Sequence, residues 1–194
     1  VTIPNSVTSI GSNVFSYCSS LNSVTIPNSV TSIDYYAFFG CSGLTKVNYL
    51  GTVDEWVEFN WRFGNPASYA NDLYINNELV TDIKITSASS IGDGAFTDCK
   101  SIKSVEICNS VTSIGLGAFS GCSGLTEVTI PNSVTYIGSS AFYNTGIYNN
   151  NSNWDNGVLY IDNCLIEANS DVVKGSYTIK EGTRLIGYEA FSYC

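Results

Sequence analysis

The chain contains no histidine and no methionine, only four prolines, and 8 lysines plus arginines among 194 residues. Without histidine the commonest general base and the commonest metal ligand are gone, and with them any Ser–His or Cys–His nucleophile pair within this chain. Without methionine, and with Val1 falling inside a repeat, the sequence is expected to be an excised piece of a longer protein. Basic residues number 8 against 17 acidic ones, a formal charge of −9, and they form no cluster, which argues against binding nucleic acid or an anionic membrane. No apolar run reaches the about 18 residues a membrane-spanning helix needs. No signal peptide is visible either, which leaves the address of the parent protein open.

What is present is a buriable and repetitive sequence. Apolar residues make up 44% and charged residues 13%, enough to form a core rather than a disordered chain. VTIPNSVTSIG at 1–11 returns at 24–33, 105–115 and 128–138 with small changes. Phe15 and Phe38, Cys18 and Cys41, Phe96 and Phe119, and Phe119 and Phe142 are each 23 residues apart. Full or near-full units cover 1–23, 24–46, 83–104, 105–127 and 128–150, and IGYEAFSYC at 186–194 restores the pattern in a partial unit.

Each unit reads the same way. Alternating Val and Ile, as in Leu125-Thr-Glu-Val128-Thr-Ile130, predict a short strand with one buried side. Pro-Asn-Ser ends it in a turn, Val-Thr-Ser-Ile predicts a second extended segment, and the Ala-Phe pair sits in a compact or single helical turn. No unit can bury its own Leu, Val, Ile, Phe and Cys. Stacking unit on unit turns each residue type into a column of one core, a β-rich solenoid. With coils about 4.8 Å apart, six of them predict a rod on the order of 30 Å long.

LTEVTIPNSVTYIGSSAF at 125–142 resembles the BspA-type leucine-rich repeat of bacterial surface proteins. The resemblance implies a right-handed leucine-rich-repeat solenoid with parallel strands and short helical turns, secreted or held at the cell surface. It also implies adhesion to host matrix proteins or to other microbes. It brings no catalytic motif, no cofactor and no fixed ligand residues. One domain over 1–194 is expected, with regular repeats at 1–46, 83–150 and 176–194 and irregular inserts at 47–82 and 151–175.

Five of the seven cysteines, at 18, 41, 99, 122 and 194, share one repeat position. Side chains stacked in parallel suit disulfide geometry poorly, so a buried column of free thiols is expected rather than a disulfide or metal scaffold. Thr145 stands in for cysteine in one unit, and Cys108 and Cys164 are read as packing residues.

In the first insert, Thr52-Val-Asp-Glu55 reads as a capping box opening a short helix, and DLYINNELV as a hairpin turning at Asn76-Asn77. GTVDEW followed by LYINNELVT is similar to inserts in repeat proteins of this type, which makes the segment a decorated coil. Its aromatics could form a contact patch of Trp56, Trp61, Tyr69 and Tyr74, or could cover the core where a second strand is missing. Asp54, Glu55 and Glu58 are the one carboxylate group that could be imagined as an acid pair, and they suit the start of a solvated helix equally well. In the second insert, Asp162-Asn163 marks another hairpin. Asn151, Asn153 and Asp155 have the alternate spacing of a calcium loop, but Gly157 comes one residue late and Asp162 stands where Glu belongs, so a plain polar loop is the reading. No metal site is expected.

A second candidate surface is the outward side of the first strands. It runs over Asn22, Ser23 and Thr25, then Thr45, Lys46 and Asn48, then Lys103, Ser104 and Glu106, then Thr126, Glu127 and Thr129, a shallow polar sheet or simply a solvated one. The leading functional reading is a non-catalytic extracellular module that binds a protein partner. Glycan recognition by the insert rings, and a passive spacer carrying another domain, are the alternatives.

Overall fold

The computed structural model describes residues 1–59, 61 and 64–194. The predicted first strands form two parallel ladders. Ser23–Pro27, Lys46–Leu50 and Leu73–Ile75 align with Val24 beside Val47 beside Leu73. Asp82–Lys84, Ser104–Glu106 and Glu127–Thr129 align with Ile83 beside Val105 beside Val128. The short second strands also pair in parallel: Ser9–Ile10 with Ser32–Ile33, and Ser90–Ile91 with Ser113–Ile114 and Tyr136–Ile137. Because the pairing register equals the repeat length, every inward Val or Ile lands on its equivalent in the next coil. The result is a β-solenoid of about 8 turns. The inserts contribute turns of their own, so the six coils expected from the regular repeats undercount the stack.

The Ala-Phe turns stack as well. Rings of Phe96, Phe119 and Phe142 lie 5.5 Å apart at 13° and 11°, and Phe15 stacks on Phe38 at 5.0 Å. Their backbones are tied across coils: the amides of Phe15, Phe96 and Phe119 donate to the carbonyls of Ala37, Ala118 and Ala141, each at 2.8 Å. Each turn needs a left-handed residue just before the Ala-Phe pair, filled by Asn13, Tyr36, Gly94, Gly117, Ser140 and Glu189 at φ of 57–65°. Gly117 and Gly94 adopt it freely; the others carry a modest conformational cost that the turn-to-turn bonding offsets.

The first insert holds its ladder place through Leu73–Ile75, which then folds back on Glu78–Leu79 through Asn76 and Asn77, both left-handed as the hairpin requires. Helix α1, Val53–Glu58, carries the predicted capping box: the Glu55 amide donates to Thr52 Oγ1 and the Thr52 amide to Glu55 Oε2. This helix occupies the rung where a second strand would run. The Gly92 amide donates to Val57 O at 2.7 Å, as Gly115 does to Ile91 O and Gly138 to Ile114 O in the regular coils. A second helix, α2 at Pro66–Ala70, was not foreseen; Asn65 caps it, and Pro66 at its first turn favours the start. The second insert pairs Val158–Ile161 with Cys164–Ala168 about Asp162, and Cys164–Ala168 rejoins Leu185–Ile186 in parallel. There Arg184 donates to the carbonyls of Val134 at 2.6 Å and Pro131 at 2.8 Å, capping the Pro-Asn-Ser turn two coils back.

The cysteine column is internal only in part. Cys41, Cys99 and Cys122 are fully buried, and the thiols of Cys41 and Cys122 donate to Phe15 O and Phe96 O. Cys18 and Cys194 are exposed, a correction to the five-membered inward column. All seven are free thiols. Burial pushes the Cys122 thiol up to about 12, and Cys99 well above its usual range. Thr145 sits in the column with its hydroxyl bonded to Phe142 O at 2.8 Å.

Two outcomes follow from the columns. Phe119→Ala leaves a cavity between two stacked rings and is expected to cost about 3–5 kcal/mol, read as a lower urea midpoint at unchanged slope. Iodoacetamide at pH 8 is expected to label native Cys18 and Cys194 quickly and Cys41, Cys99 and Cys122 only on unfolding, because the thiolate is the reactive form; equal labelling rates by mass spectrometry would contradict the buried column.

Candidate interaction surfaces

The aromatic patch expected on the first insert does not lie at the surface. Trp56 is fully buried and its indole donates to Ala95 O at 2.8 Å; Trp61 is also buried, 4.3 Å from Trp56, with its own indole bonded to Trp56 O. With Tyr49 and Phe59 these rings fill the space beneath α1, because a helix lifted off the core leaves more volume than a strand does. Trp56 and Trp61 therefore offer no ring face to a ligand. Tyr69 is half-buried, and its hydroxyl accepts the Gly40 amide at 2.8 Å. It replaces the carbonyl that the next regular turn would supply, as Phe39 O does for the Tyr17 amide. Phe63, another aromatic of this insert, lies outside the described residues. Tyr74 is likewise partly open, with Lys46 Nζ 4.6 Å above its ring.

The insert carboxylates do not converge. Asp54 accepts the amides of Thr86, Ser87 and Ala88 at 2.9–3.0 Å and the Thr86 hydroxyl at 2.6 Å. Partial desolvation pushes the Asp54 carboxyl up, but these hydrogen bonds outweigh it and hold its pKa below the usual value. Glu55 serves the capping box, and Glu58 accepts the Ser89 amide at 3.1 Å. Asp54 and Glu58 tie α1 to the coil that follows it, and Glu55 closes the helix's own N-terminus. Among the described residues, no group of three His, Cys, Asp or Glu is placed to hold a metal. In the Asn-rich loop, Asn153 donates to Ile147 O and Asp155 pairs with Lys180 at 3.2 Å.

On the first-strand face, Asn48 is a correction. It is 3% exposed, and its carboxamide oxygen accepts the Asn77 amide, so the insert hairpin has folded over that rung. The other rungs are open. Lys84, Glu106 and Thr129 share one row and Asp82, Ser104 and Glu127 the next. Lys84 pairs with Glu106 at 3.1 Å, both more than 60% exposed, a contact worth little in stability. Ser104 Oγ donates to Asp82 at 2.6 Å, and that bond, followed by one from Thr81, lowers the Asp82 pKa. Lys103, Glu127 and Thr129 are exposed beside them. Sequence reasoning passed over the second-strand side, where Tyr136 stands in the row held by Ser9, Ser32, Ser90 and Ser113 in other coils. That departure from the repeat was the available signal.

The profile of the BspA type leucine rich repeat region matches residues 1–62 and 69–194, in 6 copies. No curated protein matches significantly. Among solved structures, a leucine rich cell surface protein from Faecalibacterium prausnitzii A2-165 is similar at 26% identity and a TM-score of 0.53. That match covers 98% of this chain and 57% of the other. The T. pallidum leucine rich repeat protein has 24% identity over 75% of this chain and 77% of its own, with a TM-score of 0.52, which shows the shared fold. No helix of the described residues is long and apolar enough to cross a membrane.

Asp54→Ala removes the acceptor for three amides and is expected to destabilise the chain by about 1–3 kcal/mol. The wild-type contribution has a definite pH sign. A carboxyl whose folded pKa lies below its unfolded one stabilises the fold above the unfolded value, near 3.9, and that stability fades as pH falls through the lower folded one. Thermal melts of wild type and variant are therefore expected to differ most at neutral pH and to converge in acid; a constant gap down to pH 2 would refute this account of Asp54.

Proposed function

The chain belongs to the BspA-type leucine-rich repeat family, and from that premise we propose that it is a non-catalytic interaction module of a bacterial cell surface, engaging a protein partner through its first-strand ladder. The observation that carries this reading is the open face over 82–84, 104–106 and 127–129, where side chains of both charges and hydroxyls stand in register on a packed core. Rungs held rigid before contact lose little entropy on binding, so modest pair contacts add up over several coils. Charges of both signs in fixed rows give a partner a pattern to match, which favours selectivity over raw affinity. The surface setting is supported by the family and by the name of the Faecalibacterium relative. Adhesion to host or microbial proteins is the finer form of the proposal. Glycan capture by the insert rings loses its support, since Trp56 and Trp61 are buried.

The test is surface plasmon resonance against a panel of immobilised extracellular matrix proteins. At least one is expected to bind, and Glu106→Lys with Glu127→Lys is expected to weaken that binding about tenfold, or ~1.4 kcal/mol, with unchanged circular dichroism. Binding insensitive to the ladder charges would remove the ladder as the site. No binding to any partner would favour a passive spacer.

A further inference from the structure

The second-strand side carries a different surface, created by the place of α1. A helix with its side chains is about 10 Å across, whereas neighbouring strands sit about 4.8 Å apart, so a helix in a strand's rung leaves a trough on either flank. Towards the Ser32–Ile33 strand there are two adjoining cavities of about 310 and 300 Å³. Asp34, Tyr35 and Glu58 line the first, and Tyr49, Glu55 and Glu58 the second. On the other flank a cavity of about 290 Å³ is lined by Glu58, Phe59, Asp93 and Tyr136. Glu58 and Phe59 border all three, so the troughs meet at the end of α1. Beyond Tyr136 the surface continues: the Tyr188 ring is 6.2 Å away, and Tyr188 and Glu189 wall a further cavity of about 160 Å³ that also exposes Glu167.

Three features of this track point to one kind of occupant. Among the described residues, those lining the four cavities include carboxylates but no lysine or arginine. Tyr35, Tyr136 and Tyr188 are 52%, 44% and 54% exposed, so their ring faces are available. The molecule itself already uses tyrosine rings as cation platforms, with Lys46 over Tyr74 and Lys180 over Tyr160 at 4.6 and 4.5 Å. Rings interleaved with carboxylates suit ammonium and guanidinium groups through stacking and charge together. Tyr136 and Tyr188 are too hydrophilic at the hydroxyl and too exposed to serve as core. We propose that this second-strand face is a docking track for an extended, lysine- and arginine-rich segment of a partner protein. The track runs from the coil of Asp34 to that of Glu189, about 25–30 Å, which about eight or nine residues of extended chain would span. It extends the interaction-module reading to a separate face with a stated partner chemistry, and it is tested apart from the ladder.

The probe is a fluorescein-labelled, unstructured 16-residue peptide alternating lysine or arginine with serine, read by fluorescence anisotropy at 50 and 150 mM salt. A peptide with glutamate at the basic positions serves as control. The variant Tyr136→Ser, Tyr188→Ser, Glu189→Asn uses residues the repeat tolerates, since serine fills the row of Tyr136 elsewhere and asparagine accepts the left-handed backbone of Glu189. It is expected to weaken the basic peptide at least tenfold. Glu78→Gln with Glu181→Gln, two exposed carboxylates off the track, and the ladder pair Glu106→Lys with Glu127→Lys are expected to leave it within about twofold. The proposal is overturned if wild type does not distinguish the basic from the acidic peptide. It is also overturned if the off-track variants weaken binding as much as the track variant does, since net charge alone would then explain the attraction. Matrix-protein binding that survives the ladder pair unchanged, with peptide binding still lost in the track variant, would sink the ladder reading and leave the track standing.

Discussion

Everything in this chain depends on the turn-to-turn tie between coils. A 23-residue unit cannot bury its own apolar side chains, so its stability comes from the next unit, and the next unit must arrive in register. The amides of Phe15, Phe96 and Phe119 reach carbonyls one coil on, while their rings stack over the same step. Hydrogen bonds fix the register and ring packing supplies the burial; a slip by one residue would break both at once.

That constraint explains how irregular segments are tolerated. An insert is accepted where it returns a hydrogen-bond partner to the same place. Val57 O of a helix serves the Gly92 amide, and the Tyr69 hydroxyl serves the Gly40 amide. The carboxylates of Asp54 and Glu58 then bind the helix down to the coil that follows it. The large rings of Trp56 and Trp61 fill the volume a helix leaves beneath it. Residues that attract attention as chemistry, Asp54 and the tryptophans of an insert, are here devoted to keeping the solenoid continuous. Chemistry aimed outward is left to side chains the repeat does not need: the polar rungs of the first strands, and the tyrosines and carboxylates that replace serine and glycine on the second-strand side.

Much of the fold was legible because periodicity reports directly on stacking. The Val-Ile alternation, the Phe column, the capping box at Thr52 and the hairpins at Asn76-Asn77 and Asp162-Asn163 all form as the sequence indicates. Helix α2 escaped notice because five residues leave no periodic pattern, and only the Asn65 cap and Pro66 mark its start. Exposed Cys18 and Cys194 show the same limit: spacing assigns a residue to a column but does not say whether other chain covers it.

The sequence by itself determined the repeat, the parallel register, the absence of histidine chemistry and the identity of the core columns, because each follows from residue type at fixed spacing. Tertiary structure decided which polar and aromatic residues face solvent. Asn48 is exposed by strand alternation yet covered by a hairpin 29 residues away, and Trp61 is buried under a helix whose packing no local pattern records. Exposure depends on what the rest of the chain lays over a residue, and that is a long-range property that alternation along one strand cannot encode.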